Sequence, residues 1–237
     1  MTFLAIFPPV SSAILLLALA ILLLRSAYGQ YPLLFAYCFV ELAIIICEGV
    51  VFFSVAAGGS RAYQSSLRYA YVYWSGDLLH DLMLFLLVIT LTYKTLEGSP
   101  MRSATGRVLT IIGVAAVALP FVLFHPFFTA RWFGHASQLL SLGAAAMNLL
   151  LWTAIIGTKK RDPQLLMVSA GVGIAVTGLA ISWGLALQFP SNSVRWLIDL
   201  LHGLTHVAGN AIWCWAFRPA LNRQPDRSTG HPVASQA

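Results

Sequence analysis

The chain of 237 residues is 59% hydrophobic, only 9% charged, and carries a formal net charge of +6. An ordinary soluble domain is about 25% charged, and a water-soluble chain this apolar would have to expose large hydrophobic patches, so the composition excludes that class. The basic excess falls in short gaps between apolar runs, with no basic stripe interleaved with aromatics, which argues against nucleic acid as a partner and for the headgroups of a lipid bilayer.

Apolar runs cover roughly 3–24, 32–57, 70–93, 108–128, 136–157, 164–189 and 194–217. Each exceeds the ~20 residues an α-helix needs to cross the hydrocarbon, and none shows the alternation of a membrane-barrel strand. The expected fold is all-α, a polytopic transmembrane bundle of seven helices over 1–217. A polar, Pro-containing tail over 218–237 is expected to be disordered and cytoplasmic. The first run reads as a span and not a cleaved leader, because no basic segment precedes it and Arg25 follows it. In the fourth run Pro120 predicts a kink, and in the sixth Ala170, Gly171, Gly173, Ala175 and Gly178 predict a small-residue packing face. Cys38, Cys47 and Cys214 all lie inside apolar runs and read as small buried hydrophobes without a disulfide framework.

Basic residues set the orientation. One set of loops carries Arg25, Lys94, Arg102, Arg107, Lys159, Lys160, Arg161, Arg218, Arg223 and Arg227, and the other carries Arg61, Arg68, Arg131 and Arg195. Ten against four puts the N-terminus outside and the C-terminus inside a plasma (inner) membrane crossed several times.

Charged side chains at the bilayer centre cost at least ~2.5–3.5 kcal/mol each and face a cavity or a partner. Here the second run carries Glu41 and Glu48, the third Asp77, His80 and Asp81, and the seventh Asp199, His202, His206 and Asn210. Seven-residue, i/i+3/i+4 and three-and-four steps each define one helical face. At 1.5 Å of rise per residue, Glu48 and the third- and seventh-run groups share a level roughly 7–18 Å below the outer surface. The expectation is one shared polar pocket. A string W-x-x-D-L-L-H occurs twice, as Trp74/Asp77/His80 and Trp196/Asp199/His202, on helices that would run in the same direction. A parallel duplication of three helices would leave such a trace, and so would convergence on one site.

Several chemistries fit those residues. His202 and His206 at i, i+4 project side by side and can share an ion, with His80 as a third ligand. Asp77, Asp81 or Asp199 would then be a further ligand, an orienter or the catalytic base, and zinc suits such a mixture. The His202-Gly203-Leu204-Thr205-His206 segment resembles the adiponectin-type receptor and alkaline ceramidase superfamily, whose last helix carries H-x-x-x-H. That resemblance implies a zinc-dependent intramembrane hydrolase, here with a histidine from the third helix. The same pocket suits a sensor or receptor-like protein that holds a small ligand or titrates protons, read out by a membrane or cytoplasmic signalling partner. Haem between His80 and a seventh-helix histidine and proton-coupled transport along the Asp/Glu/His chain are further readings. Retinal is excluded, because the only lysines, Lys94, Lys159 and Lys160, lie in loops. The bland alternative is a structural cluster that fixes helix register.

Along most of its length the chain also resembles a family of small, uncharacterised bacterial seven-helix membrane proteins. The likeness lies in Tyr31-Pro32-Leu33-Leu34-Phe35-Ala36-Tyr37, in Tyr71-Val72-Tyr73-Trp74, and in Ala211-Ile212-Trp213. It implies the fold and no activity.

Overall fold

A computed structural model describes residues 2–56, 67–97, 102–157, 162–189 and 192–218. They form seven α-helices: α1 (Thr2–Ser26), α2 (Pro32–Ala56), α3 (Leu67–Thr95), α4 (Arg102–Leu123), α5 (Ala130–Gly157), α6 (Pro163–Gln188) and α7 (Asn192–Ala216). The described residues contain no strand. The expected tail beyond Arg218, His231 and the loop residues Arg61, Lys159, Lys160 and Arg161 lie outside the described residues.

Six helices, α1 to α6, are long and apolar enough to cross a membrane. The bundle is inverted relative to a water-soluble one. Its outer surface exposes Ile14, Leu17, Leu24, Ile46, Phe53, Ile111, Val122, Leu149 and Ile156, whereas Glu41, His80, Asp81, Asn148 and Asn210 are buried. Lipid tails solvate the first set, and polar groups excluded from hydrocarbon must find each other inside. The seventh helix follows the same logic in stronger form. It turns His206 and Asn210 inward and Leu197, Leu204 and Trp215 outward.

The helices α1, α2, α3, α5, α6 and α7 close a ring, each packed on the next, and α3 also reaches α6 across it. The fourth helix rests outside on α3 and α5, which explains why it is the least buried of the apolar spans. Pro120 lies one turn before its end. The Pro120 carbonyl accepts the Trp132 indole N–H at 3.1 Å and the Phe124 N–H at 3.2 Å.

Close packing of α6 on α7 depends on the glycines anticipated there. A Cβ on Gly171 would collide with the Trp213 ring and sit 3.1 Å from the Gly209 carbonyl, and one on Gly178 would strike Thr205. Gly173 instead faces α5, at Asn148. The Trp213 indole N–H donates to the Val168 carbonyl at 2.9 Å, tying the two helices at that level. The sixth helix begins at Asp162, whose carboxylate accepts the Gln164 and Leu165 N–H groups, with Pro163 in the first turn.

Against α1, the seventh helix runs parallel. Going down both helices, Pro8 meets Gly203, Asn210 donates to Ser12 at 2.7 Å, and the Cys214 thiol approaches the Leu15 carbonyl at 3.2 Å. Cys38 is buried and Cys214 partly so, as expected, but Cys47 is exposed on α2. Lys94 lies in the last turn of α3 and not in a loop as expected, because the helix continues to Thr95; it donates to the Gln30 carbonyl at 3.1 Å and sits 3.7 Å from the centre of the Tyr31 ring. Burial raises the phenol of Tyr31, which precedes α2, above its ordinary range.

Candidate metal centre

Two antiparallel neighbours, α2 and α3, bring the first pair of groups together. Their register sets Glu41 opposite His80 and Glu48 opposite Gly76, where a Cβ would lie 3.0 Å from the Glu48 carboxylate and 2.9 Å from Ile44. A side chain at this position would push Ile44 and the Glu48 carboxylate aside. The His80 Nδ1–Glu41 Oε2 distance is 2.6 Å, the length of a charge-assisted hydrogen bond. A carboxylate can only accept, so Nδ1 carries the proton, and in the neutral imidazole Nε2 then presents its lone pair.

The seventh helix supplies the third group. His206 Nδ1 lies 3.8 Å from the other oxygen of Glu41, and the His206 and His80 rings face each other at 4.2 Å, tilted by 34°. One ligand atom from each of Glu41, His80 and His206 lies within 4.8 Å of the other two. Glu41, His80 and His206 are 7%, 3% and 9% exposed, so this set is enclosed by protein. Both His80 Nε2 and His206 Nε2 are buried without a hydrogen-bond partner. Two orphaned imidazole nitrogens beside a carboxylate are costly in an apolar interior unless something completes them.

The other predicted residues divide around this centre. His202 stacks on His206 with ring centres 4.6 Å apart and planes 12° from parallel, next to the centre without joining the close ligand set. Glu48 and Asp77 lie nearer the start of α3 and are half-buried, and Asp77 has the Tyr73 side chain as a hydrogen-bonding neighbour. Asp199 is exposed and within electrostatic reach of Tyr73. Asp81 turns to α5, where it meets Ser141 at 3.2 Å, and Asn210 turns to Ser12 of α1. The single pocket anticipated from helical faces is thus a buried Glu41–His80–His206 core with three separate polar margins.

The core is closed on one side and polar on the other. Tyr37 packs edge-on against His80 at 5.5 Å and against Trp213 at 5.3 Å, and beyond it lie buried Leu16, Leu34, Leu84 and Leu87. Toward the starts of α3 and α7, Glu48, Asp77, Tyr73 and Asp199 continue the polar path. Tyr37, Tyr73 and Trp213 entered the sequence reading only through the family likeness and not as site residues, because aromatics in an apolar run look like packing alone.

The two W-x-x-D-L-L-H strings have different surroundings. Trp74 is partly buried and stacks on Phe133 at 6.0 Å, whereas Trp196 is exposed, and His80 meets His206 and not the equivalent His202 more closely.

The fold and this centre define a helical membrane protein with a buried Glu/His/His group. No family model, no curated protein and no solved structure matches the chain.

Proposed function

We propose that this protein is a seven-span metal-dependent receptor or sensor, in which His80 and His206 bind one zinc-class divalent ion beside Glu41 and leave a coordination position for a small ligand. The observation that carries this reading is that His80 and His206 turn their Nδ1 atoms to the two oxygens of Glu41, with one ligand atom of each residue within 4.8 Å of the others, while both Nε2 atoms are buried without a partner. Imidazole and carboxylate donors without thiolate suit zinc better than softer ions. A carboxylate on the far nitrogen of a ligating histidine fixes its tautomer and raises its basicity, and Glu41 is so disposed toward His80. Three or fewer protein ligands leave an open position, the mark of a working site and not of a purely structural one.

The polar path through Glu48, Asp77 and Asp199 supports entry from the side on which α3 and α7 begin. The charge bias of the loops assigns that side to the exterior, with the N-terminus outside, the C-terminus inside and the plasma membrane as the location. That α7 lies alongside the apolar α1 and α6 over several turns supports its being a seventh span. A haem between His80 and His206 does not suit the geometry: their rings touch at 4.2 Å, with no gap for a porphyrin plane.

The second reading is a zinc hydrolase. It is favoured by the two-histidine, one-glutamate composition shared with known catalytic zinc sites and by the nearby carboxylates of Asp77 and Glu48.

Elemental analysis of protein purified in detergent without chelator is expected to find one zinc-class ion per chain. After exchange for cobalt(II), acetate is expected to shift the visible absorption, as an open position requires. A metal-free preparation that also fails to take up cobalt would overturn the proposal. Metal-dependent cleavage of a lipid ester or amide by the same preparation would replace the receptor reading with the hydrolase.

A further inference from the structure

We infer that the end of the bundle opposite the polar path holds a headgroup site for a phosphate that carries a primary ammonium, as in an aminophospholipid, built from Tyr31, Lys94, Asp162 and Gln164. Tyr31 precedes α2, Lys94 lies in the last turn of α3, and Asp162 and Gln164 open α6, so three helices bring these residues to one end. Tyr31 lies among them. Its ring centre is 3.7 Å from Lys94 Nζ and 5.2 Å from that of Phe217, which follows α7 and meets it edge-on. The Asp162 carboxylate is within electrostatic reach of both Tyr31 and Lys94.

Donors at this end lack an acceptor. Tyr31 is 3% exposed and its hydroxyl has no hydrogen-bond partner, and the Gln164 Nε2 amide is buried without one as well. Such groups are costly in an apolar interior until something accepts from them. Asp162 does not serve, because its Oδ1 is turned to its own helix and accepts the Gln164 and Leu165 N–H groups at 2.9 and 3.2 Å. Lys94 has three N–H bonds, and its contacts with the Gln30 carbonyl at 3.1 Å and the Tyr31 ring are both neutral. A hydroxyl, an amide and an ammonium together suit an acceptor with several oxygens and a negative charge, and a phosphate is one.

Charge selects which phosphate. Asp162 and Glu97 both bear on Lys94, so a simple anion would gain one cation and meet two carboxylates. A phosphate tethered to an ammonium matches both signs, with the ammonium toward Asp162, which is exposed. The surroundings favour a lipid as the source. One turn along α2 from Tyr31, Phe35 meets Tyr28 and Phe39 with ring centres 4.9 and 4.8 Å away, and Tyr28 and Phe39 are exposed on the lipid-facing surface, where an acyl chain would lie. The charge bias of the loops assigns this end to the cytoplasmic face, and basic pockets between spans on that side bind lipid headgroups.

The test is thermal unfolding of the full chain in detergent, followed by tryptophan fluorescence, with added phosphatidylethanolamine, phosphatidylcholine, phosphatidylglycerol or free phosphoethanolamine. The expected result is a saturable rise in Tm. Its midpoint should be at least several-fold lower for the ethanolamine lipid than for the choline lipid, whose cation has no N–H, or the glycerol lipid, which has no cation. Tyr31→Phe and Lys94→Gln should each raise that midpoint several-fold. Asp162→Asn keeps a capping oxygen for α6 but should abolish the preference over the glycerol lipid. His206→Ala should retain the preference, which separates this site from the zinc-class centre. A response to free phosphoethanolamine at the same midpoint as the lipid would support the site and assign it to a soluble ligand. Equal midpoints for the three lipids would overturn the inference, and so would an unchanged midpoint in both Tyr31→Phe and Lys94→Gln. If Lys94→Gln does not fold, an unchanged midpoint in Tyr31→Phe overturns it alone.

Discussion

His206→Ala is expected to lose tight metal binding, with affinity falling by more than about 100-fold, since even residues that only orient a metal ligand cost about 10–100-fold when replaced. The loss follows from removal of one of two free imidazole nitrogens in a buried set that offers few others. His80→Ala should behave alike. Glu41→Gln provides the graded comparison. Gln keeps the shape and can still accept from His80 Nδ1, but it no longer supplies the charge, so a loss of about 10–100-fold is expected. Titration of the purified variants with zinc in the presence of a competing chelator measures all three. Equal affinity in His206→Ala and the parent would remove His206 from the centre. A loss in Glu41→Gln as large as that in His206→Ala would make Glu41 a direct ligand in place of an orienting group.

Gly171→Leu is expected to cost about 3 kcal/mol or more, at the upper end of what overpacking does. The reason is that the new side chain would meet Trp213 and the Gly209 backbone carbonyl, and backbone cannot swing aside as a flexible side chain does. Separation of α6 from α7 would also break the bond from Trp213 to Val168 and unseat the Tyr37–Trp213 floor beneath the centre. Gly49→Leu is the control. Nothing lies within 4 Å of a Cβ there, so its effect should stay within about 0.5 kcal/mol, as for surface changes generally. Denaturation in mixed micelles compares the two, and similar stability for both variants would contradict the packing described for α6 and α7.

The solvent of this protein could be read from its sequence more fully than its centre could. Apolar runs longer than a bilayer is thick have few alternatives to helices, and each run found its helix. Helical periodicity also identified the polar faces, because the spacing of side chains around one helix is a local property. Which faces meet is not local. Glu41 and Glu48 share a face of α2, and only the offset between α2 and α3 decides that Glu41 meets His80 while Glu48 reaches Gly76. Asp77, His80 and Asp81 formed one face on paper, but α3 has neighbours on several sides and divides them. His80 goes to the centre, and Asp81 goes to α5.

Other partners were hidden by their ordinariness. Ser12, Ser137 and Ser141 are small and common in packed membrane helices, and only the four-residue step from Ser137 to Ser141 distinguished a pair on one face. His202 and His206 looked equivalent at i, i+4. The close approach of α1 and α6 to α7, which depends on Gly171, Gly203 and Gly209, sets the rotation that buries His206 deeper than His202.

X-ray absorption at the zinc edge, on purified protein loaded with one equivalent of zinc, tests the metal centre most directly. The predicted spectrum has a first shell of nitrogen and oxygen at about 2.0–2.1 Å with imidazole scattering behind it, and the imidazole signal is lost in His80→Ala/His206→Ala. A sulfur shell at about 2.3 Å, or an unchanged spectrum in the double variant, would contradict a centre built on His80 and His206.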